Sequence, residues 1–289
     1  MNYIIHLLIM IGIYLIIAYS LNLLVGFGGL LSLSHAAFYG IGAYFYVLFA
    51  MKVGFSFIPS LLLSVFLTGM IAFLISFPAL KFRGDYFVVV TLGVQMIIFV
   101  ILYNWVSVTR GPYGIPGIPR PEIFGIEVSS MVGYLILVAI LDVIFLGILF
   151  IIYSSPFGLS LKSLRENEKA AESIGKSPFR IFLQAFTISG AIAAVSGTLY
   201  ACYITYIDPT SFTLDESVFQ VVILLLGGSG NKKGPFIGTL IMILLPEVLR
   251  FMGFPDSIAA NMRQIIYGVI LVILMYFRPQ GIAGEFEVR

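Results

Sequence analysis

Apolar stretches long enough to cross a lipid bilayer recur from the first residues of this sequence almost to the last. A helix crossing ~30 Å of hydrocarbon takes about 20 predominantly apolar residues, because in lipid every backbone polar group must be satisfied inside the helix itself. Candidate spans lie at roughly 4–25, 35–52, 59–80, 86–103, 131–153, 181–206, 217–230, 235–252 and 263–277. The chain therefore reads as an all-α, polytopic transmembrane helical bundle of about 8 to 10 spans, one domain over residues 1–289. Its residues are 60% hydrophobic and 10% charged, against about 25% charged in soluble domains. The opening run has neither a basic start nor a small-residue cleavage site, so it is read as a retained span and not as a signal peptide. Cys202, the 1 cysteine, lies in an apolar run, which leaves no disulfide framework and no thiolate metal site. A formal charge of +2 gives no footing for nucleic acid.

The distribution of the basic residues carries more information than their sum. Alternating the spans puts Lys81, Arg83, Lys162, Arg165, Lys169, Lys176, Arg180, Lys232, Lys233, Arg278 and Arg289 on one side. Lys52, Arg110, Arg120, Arg250 and Arg263 fall opposite. Excess Lys and Arg marks the cytoplasmic side. The segment 154–180, the turn 231–234 and the C-terminus are therefore expected in the cytoplasm, and the Pro-rich loop 104–130 outside. The N-terminus is external if residues 26–57 cross once; about 32 residues is tight for two crossings at roughly 1.5 Å per residue. Runs 35–52 and 217–230 are interrupted or flanked by glycine, the pattern of broken or partly re-entrant helices held inside a bundle.

Residues 154–180 are too polar to cross. From Leu161 to Ile174 they contain neither proline nor glycine, which predicts a short helix with a Glu172–Lys176 pair, ended by Gly175 and Pro178. Ala170, Ala171 and Ile174 are expected to form an apolar ridge flanked by Arg165, Glu166, Glu168 and Lys169, a shape suited to a groove on another protein; the alternative is a solvated connector. Gly175-Lys176-Ser177 imitates the end of a phosphate-binding loop, but Ala170 stands at the required first glycine, no strand precedes it, and Pro178 follows where a helix should begin. No ATP site is expected on this chain.

The order Ala170-Ala171-x-x-x-Gly175 resembles the coupling loop of ABC importer permeases. The block RENEKAAESIGKSPFRIFLQAFTISGAIAAVSGTLYA, which begins at Arg165, resembles the branched-chain amino acid (LivM-type) permease family. So do YSLNLLVGFGGLLSLSHAAFYGIGAY, LKFRGDYFVVVTLG, TRGPYGIPGIP, LLGGSGNKKGPFIGTL and RPQGIAG, in order along the chain. The resemblance implies a type II ABC importer permease in a bacterial or archaeal inner membrane. Its implied partners are a homologous second permease, two cytoplasmic ATPases that hold ATP–Mg, and an external solute-binding protein. It also implies that Arg165, Glu166, Asn167, Glu168, Lys169, Ala170, Ala171, Glu172, Gly175 and Lys176 form the ATPase-coupling loop. Lys169 departs from the glutamate of the broader coupling pattern, with Glu168 just before it.

Polar residues at membrane depth are costly, so Asn22, His35, Gln95, Asp142, Gln184 and Gln220 need partners or a wet path. Asn22, His35, Gln95, Asp142 and Gln220 are candidates for the translocation path. Asp142 reads first as a structural charge bonded within the bundle, with a substrate ammonium contact as the alternative, and His35 reads first as an interfacial hydrogen-bonding residue. Ser189, Ala193, Gly197 and Ala201 recur every fourth residue, a small face on which a neighbouring helix can pack closely. Glycine blocks at Gly26, Gly28, Gly29 and at Gly227, Gly228, Gly230 each precede a small-residue helix start, a hint of two related halves.

Other function classes fit less well. An intramembrane enzyme would need paired aspartates or an HExxH motif, and the chain has only His6 and His35. A secondary transporter or channel would be expected to show more carboxylates in its spans than Asp142 alone. Within the resembling family, a carrier of urea or short amides is the alternative to leucine, isoleucine and valine.

Overall fold

A computed structural model describes residues 2–123, 125–251, 268, 269, 272 and 281–284. Among the described residues, six helices are long and apolar enough to span a bilayer. They are α1 (Asn2–Asn22, prolonged by a π-helical turn Leu23–Phe27), α2 (His35–Leu48, prolonged likewise by Phe49–Val53), α3 (Phe57–Ala79), α4 (Asp85–Asn104), α6 (Met131–Ser154) and α9 (Pro178–Ile204). Between them lie the short α5 (Val106–Thr109), α7 (Pro156–Glu166) and α8 (Glu168–Ser173), and after them α10 (Leu214–Gly227) and α11 (Gly234–Phe251). The candidate span 263–277 lies outside the described residues except at 268, 269 and 272, as do Arg263, Arg278 and Arg289.

The spans sort into a centre and a rim. In α1, α2 and α9 between 61% and 67% of the apolar window is buried, whereas α3, α4 and α6 bury only 33%, 28% and 22%. Small residues make the centre possible. A Cβ on Gly197 of α9 would stand 1.9 Å from the Tyr39 carbonyl oxygen of α2, and one on Gly42 of α2 would stand 2.4 Å from Cα of Ala194. Backbones this close leave room for nothing larger than glycine, and they replace an apolar driving force that lipid cannot supply. Ser189, Ala193, Gly197 and Ala201 are all buried along this helix. The rim turns Leu62, Phe66 and Leu74 of α3, Ile97 of α4, and Val143 and Ile151 of α6 outward, as helices facing acyl chains do.

Contacts fix which ends lie together. At one end the α3–α4 turn, the C-terminus of α6, α7, α8, the start of α9 and residues 229–233 gather. There Arg83 pairs with Glu168, Arg165 donates to the Gly26 carbonyl, and Lys232 donates to Ser154 Oγ. Lys81, Lys162, Lys169, Lys176, Arg180 and Lys233 belong to the same segments. At the opposite end two short strands, β1 (Ile115–Pro116) and β4 (Tyr206–Ile207), pair antiparallel, beside the small hairpin of β2 (Glu122–Ile123) and β3 (Ile126–Glu127). Lys52 and Arg110 share a cavity wall there. Between residues 26 and 57 the chain crosses once, in α2, and α1 starts at this opposite end, where His6 bonds the Tyr203 hydroxyl at 2.6 Å.

Candidate functional site

The segment 156–177 folds as two helices where one is expected from Leu161 to Ile174. Asn167 breaks the helix with extended backbone (φ −155°, ψ 100°), and its Oδ1 accepts from Ala170 N at 3.0 Å, so one residue ends α7 and caps α8. The anticipated Glu172–Lys176 pair does not form. Lys176 follows the left-handed Gly175 (φ +84°) and reaches back to Ser160 Oγ of α7 at 2.9 Å. The ridge is divided too: Ala171 is 3% exposed and packs into the bundle, while Ile174 is 72% exposed and Ala170 is also exposed. Glu168 is held by Arg83 of the α3–α4 turn at 2.9 Å, and Glu166 by Arg165. The face α8 leaves open is therefore Lys169, Ala170, Glu172 and Ser173, continued by Ile174. Pro178 does begin a helix, since the first turn of α9 is where a residue without an N–H fits. Helix α8, not a strand, precedes Gly175-Lys176-Ser177.

The second feature lies inside the bundle. Residues 28–34 run without helix from the basic end to His35, mostly buried, and α2 starts there. From the other end, residues 205–213 dip inward until Phe212 packs on Gly40, and α10 starts just beyond. The starts of these two oppositely directed helices meet at Gln95 of α4. Its Oε1 accepts from Ala37 N at 2.7 Å and from Ser217 Oγ at 3.1 Å, and its Nε2 donates to the Phe212 carbonyl at 2.8 Å. Ser217 Oγ also accepts from Ala36 N at 3.0 Å. His35 is fully buried between Ser20 and Ser189, not interfacial; Ser189 lies about 17 Å along α9, near the middle of the hydrocarbon. Its Nδ1 has no hydrogen-bond partner among the described residues.

The other candidates are elsewhere. Asn22 clamps α1 to the 229–233 turn, donating to the Asn231 carbonyl at 2.9 Å and accepting from Gly230 N at 3.1 Å. The two glycine blocks meet at this clamp, where a Cβ on Gly26 would lie 2.4 Å from Gly230 N. Asp142 faces Gly12 of α1, and its Oδ1 has no hydrogen-bond partner among the described residues. Gln220 is buried and donates to Glu216 at 3.1 Å.

The sequence alone does not single out Glu216, which directly precedes the apolar run 217–230. It stands in the first turn of α10, where the helix dipole favours a carboxylate. Its carboxylate is bonded by the neutral side chains of Gln220 and Tyr14. It lines a cavity of about 480 Å³ with Asp215, Ser211, Tyr200, Phe219 and Val222. Acidic and hydroxylic groups share that wall with apolar side chains, a combination able to receive a small amphiphile with a positive group. Among the described residues no three His, Cys, Asp or Glu side chains converge as metal ligands would.

Residues 3–275 match the family described as branched-chain amino acid transport system / permease component. The chain belongs to this family. It is 36% identical to the high-affinity branched-chain amino acid transport system permease protein LivM of Salmonella typhimurium, over 93% of this chain and 67% of the relative. The LivM protein of Escherichia coli is 35% identical over the same shares. A probable branched-chain amino acid transport permease protein LivM of Methanocaldococcus jannaschii is 25% identical over 96% of this chain and 92% of its own. No solved structure matches. The chain is thus a multi-pass helical membrane permease, the fold class its apolar runs imply.

Proposed function

We infer that this protein is the permease subunit of an ATP-driven importer of leucine, isoleucine and valine. The observation that carries this reading is the family match over residues 3–275, which takes in both the buried helix starts and the polar segment α7–α8. The substrate follows the relatives, permeases of branched-chain amino acid systems. The cavity beside Glu216 supports it: a zwitterion with an aliphatic side chain offers an ammonium group to Glu216 and a hydrocarbon to Phe219 and Val222.

The division of labour is as follows. ATP–Mg is bound and hydrolysed on two partner ATPases; a second, homologous permease completes the pore; an external binding protein delivers the solute. The end rich in Lys and Arg faces the cytoplasm. There α8 takes up ATPase motion through Lys169, Ala170, Glu172 and Ile174, and Asn167 and Gly175 set the two turns that hold it. Arg165, through Gly26, and Glu168, through Arg83, carry that motion into the membrane helices. Glu166 braces Arg165, and Ala171 and Lys176 fasten α8 and its exit turn to the bundle and to α7. The starts of α2 and α10 at Gln95, with His35 and Gln220, are the region where the packing alternates between inward and outward states.

Transport by the purified importer in proteoliposomes, with leucine, isoleucine, valine and urea compared, tests this reading. ATP-dependent uptake of the three amino acids is expected, and uptake of urea alone would overturn the substrate assignment.

A further inference from the structure

At the end of the bundle that carries β1 and β4, a cavity of about 260 Å³ opens between the last turns of α2 and the segment from α5 to β1. Lys52 and Arg110 stand in its wall with Ser107 and the apolar side chains of Val47, Leu48 and Ile115. Irregular backbone delivers both cations. Lys52 lies in the π-helical turn Phe49–Val53, which the left-handed Gly54 (φ +78°) ends, and such turns occur often at functional sites. Arg110 is itself left-handed (φ 60°), a conformation that residues with a Cβ avoid. Its N donates to the Val106 carbonyl at 3.0 Å and its carbonyl accepts from Tyr113 N at 3.2 Å. Thr109 Oγ1 locks the turn, donating to the Leu102 carbonyl at 2.6 Å and accepting from Gly111 N at 3.1 Å. The fold thus keeps an arginine where its backbone favours glycine, which points to a use for the side chain. Among the described residues neither Lys52 nor Arg110 pairs with a carboxylate. Two cations and a hydroxyl in one concavity fit a phosphate group.

We propose that this cavity binds the phosphate group of an anionic phospholipid. Position decides for lipid over a soluble anion or an acidic protein surface. Tyr103 and Trp105, where α4 ends, are 37% and 55% exposed, and Phe55, three residues past Lys52, is 43% exposed. Exposed aromatic side chains at the ends of spans sit at the level of the lipid headgroups. Lys52, in the last turn of a span, and Arg110, five residues beyond Trp105, therefore stand at the depth of the lipid phosphates. Met51 in the cavity wall and Val106, next to Ser107, are 43% and 52% exposed and offer apolar surface to the glycerol and the first acyl carbons. A soluble anion has no use for that surface. Each Lys or Arg near a membrane surface contributes about fivefold in affinity for anionic lipid. Either leaflet supplies such a lipid, so the site depends neither on which end faces the cytoplasm nor on the solute carried.

The test is native mass spectrometry of the purified full chain in detergent, titrated with phosphatidylglycerol or phosphatidylcholine, with inorganic phosphate or poly-glutamate as competitor. Phosphatidylglycerol should be retained in preference to phosphatidylcholine. Lys52→Gln, at an exposed side chain, should weaken that retention about fivefold, and Lys52→Gln combined with Arg110→Gly about 25-fold. Arg110→Gly removes the guanidinium and relieves the left-handed backbone, so its melting temperature should hold or rise while its lipid affinity falls. Should that variant melt lower, Lys52→Gln decides on its own. A double change of Lys81 and Lys169 to Gln, at the opposite end of the bundle, should leave retention unchanged. The proposal is overturned if Lys52→Gln retains phosphatidylglycerol as the wild type does, or if the Lys81 and Lys169 control loses it equally. Displacement of the lipid by millimolar phosphate would make the site one for a soluble anion, and displacement by poly-glutamate one for an acidic protein surface; either result overturns it.

Discussion

Ala170 and Ala171 are neighbours in a six-residue helix, and a glutamate placed at each should fail for different reasons. Ala171 is 3% exposed in the same buried cluster as Leu161 and Leu164, so Ala171→Glu puts a carboxylate into an apolar cluster. An uncompensated buried charge costs about 3 kcal/mol or more. A helix as short as α8 escapes that cost by undocking, so the docked fraction should fall about a hundredfold relative to the undocked. Limited proteolysis should then cut between residues 166 and 177 much faster, and co-purifying ATPases should be lost because their contact is no longer presented. Ala170→Glu keeps its charge in water and should leave proteolysis at the wild-type rate. ATPase retention and substrate-stimulated hydrolysis should still drop, since the new charge lies on the partner-facing side. If Ala170→Glu keeps its ATPases and couples normally, the outer face of α8 is not the contact. Unchanged proteolysis of Ala171→Glu would refute the argument from burial.

Other outcomes follow from the same geometry. Gly197→Ala should cost several kcal/mol and lower the melting temperature and membrane yield, because its Cβ meets the Tyr39 carbonyl at 1.9 Å; an unchanged melt would mean that α2 and α9 are not packed this closely. Glu216→Gln should raise the leucine concentration for half-maximal uptake by about tenfold or more while leaving ATPase retention intact, and unaltered uptake would remove Glu216 from the solute path. Single cysteines at Ser173 and Ser129, with Cys202 replaced, should be labelled by an impermeant thiol reagent from opposite sides of the membrane; labelling from one side would overturn the orientation.

Much of the architecture is legible in the sequence, because in a bilayer local composition and fold are tightly coupled. A run of about 20 apolar residues has few choices but to become a spanning helix. The six runs from 4–25 to 181–206 accordingly became α1, α2, α3, α4, α6 and α9, with ends displaced by a few residues. Glycines within and beside the runs at 35–52 and 217–230 mark helices that start inside the bundle, since a chain can expose backbone at that depth only where protein surrounds it. The polar stretch 154–180 announced itself in the same way, by being unable to enter lipid.

What the sequence could not decide is which polar groups face one another, because those distances are set by helices far apart in the chain. Gln95 and Ser217 are 122 residues apart, and only the packing of α4 against α2 and α10 makes them one junction. Glu168 carries the same local signals as Glu172, yet the fold spends the first on Arg83, 85 residues away, and leaves the second open. Ala171 and Ala170 are likewise identical in sequence terms. A helix turns 100° per residue, so docking α8 on the bundle buries one and presents the other. Local apolar content determined where this chain crosses the membrane; only the tertiary contacts decided which of its few polar and small residues are structure and which remain free to meet a partner or a solute.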